Sequence, residues 1–370
     1  MKIEKSIHTF ELTIDLSAEE TYEIYHTLKC LNCSIQRMPS QYGHHFACDI
    51  FRFTRFENLP GINAFELIIN KDELTGCRLK GFLHIIINLG KVNDILPLSP
   101  NADIVPISKV ENAAEQCFNA LHQLLGTVFF SRARYSRIDF CVNLKFPSQN
   151  QAMQYIHLWQ KAIPSKCLSK EFGFNNVHTS PGNVTSLHFK CKYYEIAIYL
   201  KEVEMLERKH CPKDLSLATG IVRIELRAKT GKLVKLSTKG NCSLHDLSPE
   251  NLCTLVHLGH MELKKKLTSM VGSGDFYKFD ILVKKIEEAN LTDKQYDNCI
   301  YVIYALARYS KNSSSIINED FSRGKWKKVL HILSELNCSV VPVPRTAESD
   351  CYPGVDTIYS AIKKEKRFGT

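Results

Sequence analysis

One tyrosine at the end of an apolar strand is placed to do chemistry. In "EIAIYLKEVEM", residues 195–205, Tyr199 is followed by Lys201, Glu202 and Glu204. A tyrosine phenolate is an oxygen nucleophile that can attack a phosphodiester and form a covalent intermediate. The phenol normally ionises near pH ~10, so a neighbouring cation is needed to favour the phenolate. Lys201, on the same strand face by alternation, is one candidate, and a metal ion is another. With 15 tyrosines in the chain, position singles out Tyr199, not residue type.

The acids such a nucleophile needs lie in other strand-like stretches. In "SRIDFCVNL", Ile138, Phe140, Val142 and Leu144 share an apolar face, opposite Arg137, Asp139, Cys141 and Asn143. In "IVRIELRAK", Val222, Ile224 and Leu226 oppose Arg223, Glu225 and Arg227. Each carboxylate has an arginine two residues away on its own face. In "GFLHIIINLG", His84, Ile86 and Asn88 share one face. The plain account is an antiparallel sheet with one solvated side. If the strands are neighbours, Asp139 and Glu225 lie close, and two carboxylates with an imidazole suit a hard divalent cation. Such a cation would neutralise a phosphate and polarise its P–O bonds.

The elements that must position these groups follow from periodicity. A strand is expected in "IHTFELTIDL" and a helix in "SAEETYEIYHTLKC", where Ser17 and Glu20 form a capping box. Strands are expected at about 46–54, 64–70, 77–88, 134–145, 185–200 and 220–229. A helix follows in "SKVENAAEQCFNALHQLLG", capped by Ser108 with Glu111 and ending near Gly126, and another at about 149–162. After Gly240 the chain reads as amphipathic helices with Lys-rich faces, which are solvated surface or line a DNA path. The expected fold is α+β, with a central, largely antiparallel sheet, helices on one face, and a helical C-terminal domain. The expected domains are 1–240, in halves of about 1–130 and 131–240, and 241–370.

Composition narrows the function classes. At 370 residues and 44% apolar content the chain can bury a substantial core. No run of about 18 apolar residues occurs, so no membrane span is expected. "MKIEKSIHTFELTIDL" lacks the apolar core of a signal peptide, so a cytoplasmic location is the default expectation. The net charge of +9 fits a polyanionic partner without requiring one. Many of the 14 cysteines lie inside apolar runs and read as small buried hydrophobes. Cys30, Cys33, His44, His45 and Cys48 have a spacing that can hold zinc, but only one CxxC pair is present.

"SRIDFCVNL", "IAIYLKEVEM" and "TGIVRIELRAKTG", in this order, resemble the rolling-circle replication initiators of filamentous phages. Related phage and plasmid replication proteins, broadly of the HUH endonuclease class, share the pattern. The resemblance covers roughly residues 55–240. It implies that Tyr199 becomes linked to a DNA 5′ phosphate, with Lys201 and Glu204 in the same motif. It implies a Mg²⁺ or Mn²⁺ site at Asp139 and Glu225, with His84 and Glu204 as further candidate ligands. Two positions depart from the pattern: His84-Ile85-Ile86 lacks the second histidine of the wider class, and Leu200 stands where many plasmid relatives have Asp. Arg137, Arg223 and Arg227 would clamp the DNA backbone or orient the carboxylates, or would simply be ion-pair partners within the sheet.

The implied activity is site-specific nicking and rejoining of one strand of a double-stranded phage or plasmid origin. The implied partners are origin DNA and a bacterial host's helicase, single-strand-binding protein and polymerase. Three alternatives stand beside it: a small relaxase or transposase of the same chemistry, a non-catalytic nucleic-acid-binding protein in which Tyr199 stacks on a base, and a zinc-stabilised binding module. No GxxxxGK[ST] motif occurs, which argues against a relaxase–helicase.

Overall fold

A computed structural model describes residues 2–38, 47–71, 78–92, 105–163, 173–180, 183–208, 212–308, 313, 316–317 and 321–365. The chain is mixed α+β, with a large antiparallel sheet and a helical C-terminal region. The strands are β1 (Lys2–Leu16), β2 (Ser34–Met38), β3 (Ala47–Thr54), β4 (Ile62–Lys71), β5 (Arg78–Ile87), β6 (Val105–Pro106), β7 (Arg134–Lys145), β8 (Gly173–Ser180), β9 (Asn183–Lys190), β10 (Tyr194–Leu200), β11 (Ile221–Lys229), β12 (Phe276–Tyr277) and β13 (Cys351–Tyr352). The helices are α1 (Ala18–Lys29), α2 (Val110–Phe130), α3 (Gln149–Ala162), α4 (Lys201–Glu207), α5 (Pro212–Ala218), α6 (Thr230–Gly240), α7 (Pro249–Val271), α8 (Phe279–Glu287), α9 (Asp293–Ala307), α10 (Arg323–Glu335) and α11 (Val355–Glu365).

Two compact units are present. The first comprises Ser6–Cys141 and Arg227–Gly259; the second comprises Met1–Lys5, Val142–Leu226 and His260–Thr370. Both are discontinuous, whereas the expected boundaries near residues 130 and 240 cut the chain once each.

In the first unit the strand order is β2-β3-β4-β5-β1-β7, and β6 pairs with β1. The β2–β3, β3–β4, β4–β5, β5–β1 and β6–β1 pairs are antiparallel. Alternation delivers Phe10, Leu12 and Ile14 of β1 and Leu83, Ile85 and Ile87 of β5 to the core, all fully buried. Helix α1 begins with the expected capping box: Glu20 N–H donates to Ser17 Oγ at 3.2 Å, and Ser17 N–H donates to Glu20 Oε2 at 2.7 Å. Helix α2 departs from expectation. A 3-10 turn occupies Ile107–Lys109, Lys109 is the N-cap and makes no side-chain capping bond, and Ser108 does not cap. At Gly126 the backbone turns to φ 72°, which glycine tolerates, and helix resumes to Phe130.

Gly259, on α7, is a second glycine with a defined reason. A Cβ there would meet the Phe140 ring at 2.3 Å. The ring is fully buried, so it has little room to yield. Gly259→Ala gains helix propensity but overpacks the contact, and a net loss of about 2 kcal/mol is expected in urea unfolding. A variant as stable as wild type would contradict this packing.

In the second unit the order is β7-β11-β10-β9-β8, with β10–β9 and β9–β8 antiparallel. Ile196, Ile198 and Leu200 of β10 and Val222, Ile224 and Leu226 of β11 are buried. Helix α3 packs against β9 and β10, and its Tyr155 and Trp159 join Phe146, Phe276 and Tyr352 in an aromatic cluster. The Tyr155 hydroxyl donates to the Pro353 carbonyl at 2.8 Å. The face of β11 that carries Arg223 and Glu225 is not solvated, as an ordinary one-sided sheet would have it: both side chains are fully buried. Charges removed from water need partners, and the partners define the site.

Candidate functional site

Three adjacent strands of the second unit build the site: β10 brings Tyr199, β11 brings Arg223 and Glu225, and β7 brings Asn143. The Tyr199 hydroxyl donates to Glu225 Oε1 at 2.7 Å. The same oxygen lies 3.8 Å from Arg223 Nη1. Arg223 Nε in turn donates to Asn143 Oδ1 at 2.9 Å. Tyr199 is 5% exposed and Glu225 0%. The group is therefore a phenol, a carboxylate positioned to accept its proton, and a guanidinium beside that carboxylate. Adjacent strands hold the backbone of all of it, and burial confines the side chains.

Across the β9–β10 pairing Ser186 is directly opposite Tyr199, and opposed residues of an antiparallel pair share a face. Ser186 is buried and its hydroxyl has no hydrogen-bond partner among the described residues. On the same faces, two residues from Ser186 and four from Tyr199, His188 Nδ1 and Glu195 Oε1 are 3.0 Å apart.

Lys201 falls elsewhere than alternation places it. Strand geometry stops at Leu200, the N-cap of α4, and Lys201 is the first helical residue. Its buried ammonium donates to Glu204 Oε2 at 2.7 Å. The other Glu204 oxygen is 2.7 Å from Arg208 Nε. Both Glu204 oxygens thus face cations.

The remaining expected residues belong to the first unit. Asp139 accepts two bonds from Arg137, from Nε at 2.8 Å and from Nη2 at 2.7 Å. Arg137 Nη1 also donates to Glu11 at 3.0 Å. Burial opposes the Arg137 charge, but Asp139 and Glu11 outweigh it and raise the pKa. Arg137 here is an ion-pair clamp within the sheet. Arg227 is half-buried and its charge acts on Arg137.

His84 faces Thr13 on β1 and Glu66 on β4. Burial holds its pKa below the ordinary histidine value; Glu66 and Asp15 pull it up and Arg134 pulls it down. The unfolded chain then takes up this proton more readily than the folded one. The stability contribution is present above pH ~6.5 and is lost as the pH falls toward the lower folded pKa. His84→Gln should flatten the fall in thermal midpoint between about pH 7 and 5. His157, whose pKa is also lowered by burial and by Lys161, would retain part of the slope. An unchanged slope would contradict this.

The four expected metal ligands are divided between the units, Glu225 and Glu204 in the second and Asp139 and His84 in the first. Three of the four are also engaged otherwise: Glu225 by a phenol and an arginine, Asp139 by Arg137, and Glu204 by Lys201 and Arg208. Among the described residues, no group of three His, Cys, Asp or Glu forms a metal cage. Of the zinc alternative, His44 and His45 lie outside the described residues. Burial raises the Cys33 thiol pKa, which works against a thiolate ligand.

Among the described residues no helix is long and apolar enough to cross a membrane. No protein-family model matches the chain, and no curated protein matches it.

Proposed function

We propose that the chain is a rolling-circle replication initiator, a site-specific endonuclease and strand-joining enzyme with Tyr199 as nucleophile. The observation that carries this is the 2.7 Å bond from the Tyr199 hydroxyl to buried Glu225. Glu225 takes the phenol proton as general base, and Arg223 offsets the charge around the pair. The phenolate oxygen attacks phosphorus, a P–O bond to Tyr199 forms, and the bond to the 3′ oxygen breaks. That oxygen takes up a proton from solvent and leaves as a 3′-OH, which primes synthesis by a host polymerase. Rejoining is the reverse: a 3′-OH gives its proton to solvent as it attacks the phosphotyrosine, the P–O bond to Tyr199 breaks, and the phenol recovers its proton from Glu225. The bond energy is conserved, so no ATP is needed.

Origin DNA is the proposed substrate, with host helicase, single-strand-binding protein and polymerase as partners in the bacterial cytoplasm. A requirement for Mg²⁺ or Mn²⁺ belongs to the proposal; the steps above use only the chain's own groups. Tyr199 is 5% exposed, so the DNA complex has to uncover it. The same burial favours a second reading, in which the Tyr199–Glu225 bond only satisfies a buried polar pair. Incubation with supercoiled origin DNA and Mg²⁺ or Mn²⁺, with a chelator control, separates them. The proposal expects nicked circles and a denaturant-resistant protein–DNA species; intact DNA at the proper origin overturns it.

A further inference from the structure

Helix α9 leaves aromatic rings in solvent. Cys299, Val302, Ile303, Ala305 and Leu306 face the interior, and the helix packs against α8 and α10. Tyr301 and Tyr304 are 41% and 50% exposed, and Arg308 follows on the same stripe at i+7 from Tyr301. Each ring is held from behind or from the side. Tyr301 stacks on Phe321, with centroids 5.6 Å apart and planes at 8°. Tyr304 meets Phe279 edge-on at 6.4 Å. The Arg308 guanidinium lies 4.6 Å from the Tyr304 centroid, and its Nη2 donates to the Tyr304 hydroxyl at 2.6 Å.

Cations flank the rings. Lys325 Nζ is 5.8 Å from the Phe321 centroid. Arg323, Lys325, Lys327 and Lys328 are all exposed on α10, whose only carboxylate is Glu335 at its far end. Asp297, one turn before Tyr301, bounds the stripe on its other side.

We propose that this surface binds single-stranded DNA, with bases on Tyr301 and Tyr304 and phosphates along Arg308 and the basic start of α10. Single-strand binding needs stacking faces spaced among cations, because every base has a π-face and every linkage a charge. Rings already fixed by Phe321, Phe279 and Arg308 lose little freedom on binding. Duplex DNA hides its base faces, so the rings would add nothing there. The charge excess distinguishes the surface from an ordinary protein-docking patch, whose core is depleted of lysine. The inference rests on the proposed replication role, which generates a displaced single strand beside the protein.

The test uses the full chain, a fluorescein-labelled dT16 and anisotropy in the presence of EDTA. Tyr301→Ala with Tyr304→Ala should weaken binding about tenfold or more, with the salt dependence unchanged. Binding to a duplex of equal length should not change. Tyr301→Phe with Tyr304→Phe keeps the rings and should bind dT16 as wild type does. Arg308→Ala with Lys325→Ala should lower the slope of log K against log salt by about 0.7 for each cation. A folded alanine pair that binds dT16 like wild type overturns the proposal. So does a pair whose sedimentation changes while dT16 binding does not, which would mark a protein interface. No origin, nicking or metal is involved, so failure here is separate from failure of the nuclease reading.

Discussion

Tyr199→Phe is expected to abolish the proposed DNA-linked species and to lower nicking by about a thousandfold or more while DNA binding persists. The change removes one oxygen, the atom that would form the P–O bond. The ring stays, so a role in base stacking would survive. The fold should also survive. Glu225 loses a donor but keeps Arg223 at 3.8 Å, so the cost is about 1–3 kcal/mol, that of a buried acceptor short of one bond. Urea unfolding measures the stability, denaturing gels the adduct, and anisotropy the binding. If Tyr199→Phe still forms the adduct, Tyr199 is not the nucleophile. If the variant loses stability while wild type shows no nicking, the bond is structural only.

The second large effect is at Glu225, where two substitutions separate catalysis from folding. Glu225→Ala withdraws a carboxylate from beside the buried Arg223 guanidinium. Breaking a buried ion pair from one side typically costs about 3–5 kcal/mol, because the remaining charge is left in the interior. Glu225→Gln keeps the shape and an acceptor oxygen, so it should fold better than the alanine variant. It cannot take the phenol proton, and adduct formation should fall by about a hundredfold or more. An alanine variant as stable as wild type would show that Arg223 does not depend on Glu225. A glutamine variant with full activity would remove Glu225 as the base.

Each of these two residues was legible on the polar face of its own strand, and the reason is periodicity; that β10 and β11 lie side by side was not. The strand at 134–145 and the helix at 149–162 fall where hydrophobic spacing places them. That spacing is a local property, set by which side chains must leave water. The departures occur where local pattern does not decide. Lys201 continues the alternation of "EIAIYLK" on paper, but the backbone has already turned helical, and its charge goes to Glu204. The region 185–200 reads as one strand and is two. Its turn, closed by Cys191 N–H donating to the Tyr194 carbonyl, contains no Gly, Pro or Asn to mark it. That hairpin brings Ser186 opposite Tyr199, a pairing no spacing rule could supply. The burial of Arg223 and Glu225 was also illegible, since polar alternation looks the same beneath protein as beneath water. The discontinuous units depend on contacts between distant segments, which periodicity does not record.

The most direct test of the account is the identity of the residue that carries DNA. The chain is incubated with origin DNA and Mg²⁺ or Mn²⁺, the covalent species is isolated, and nuclease and trypsin reduce it to a nucleotide-bearing peptide. Cleavage after Lys192 and Lys201 yields residues 193–201, "YYEIAIYLK", which contains Tyr193, Tyr194 and Tyr199. Tandem mass spectrometry reads which of the three bears the added mass. The account predicts a phosphonucleotide on Tyr199 alone, lost in Tyr199→Phe; attachment at Tyr193, at Tyr194 or on any other peptide would contradict it.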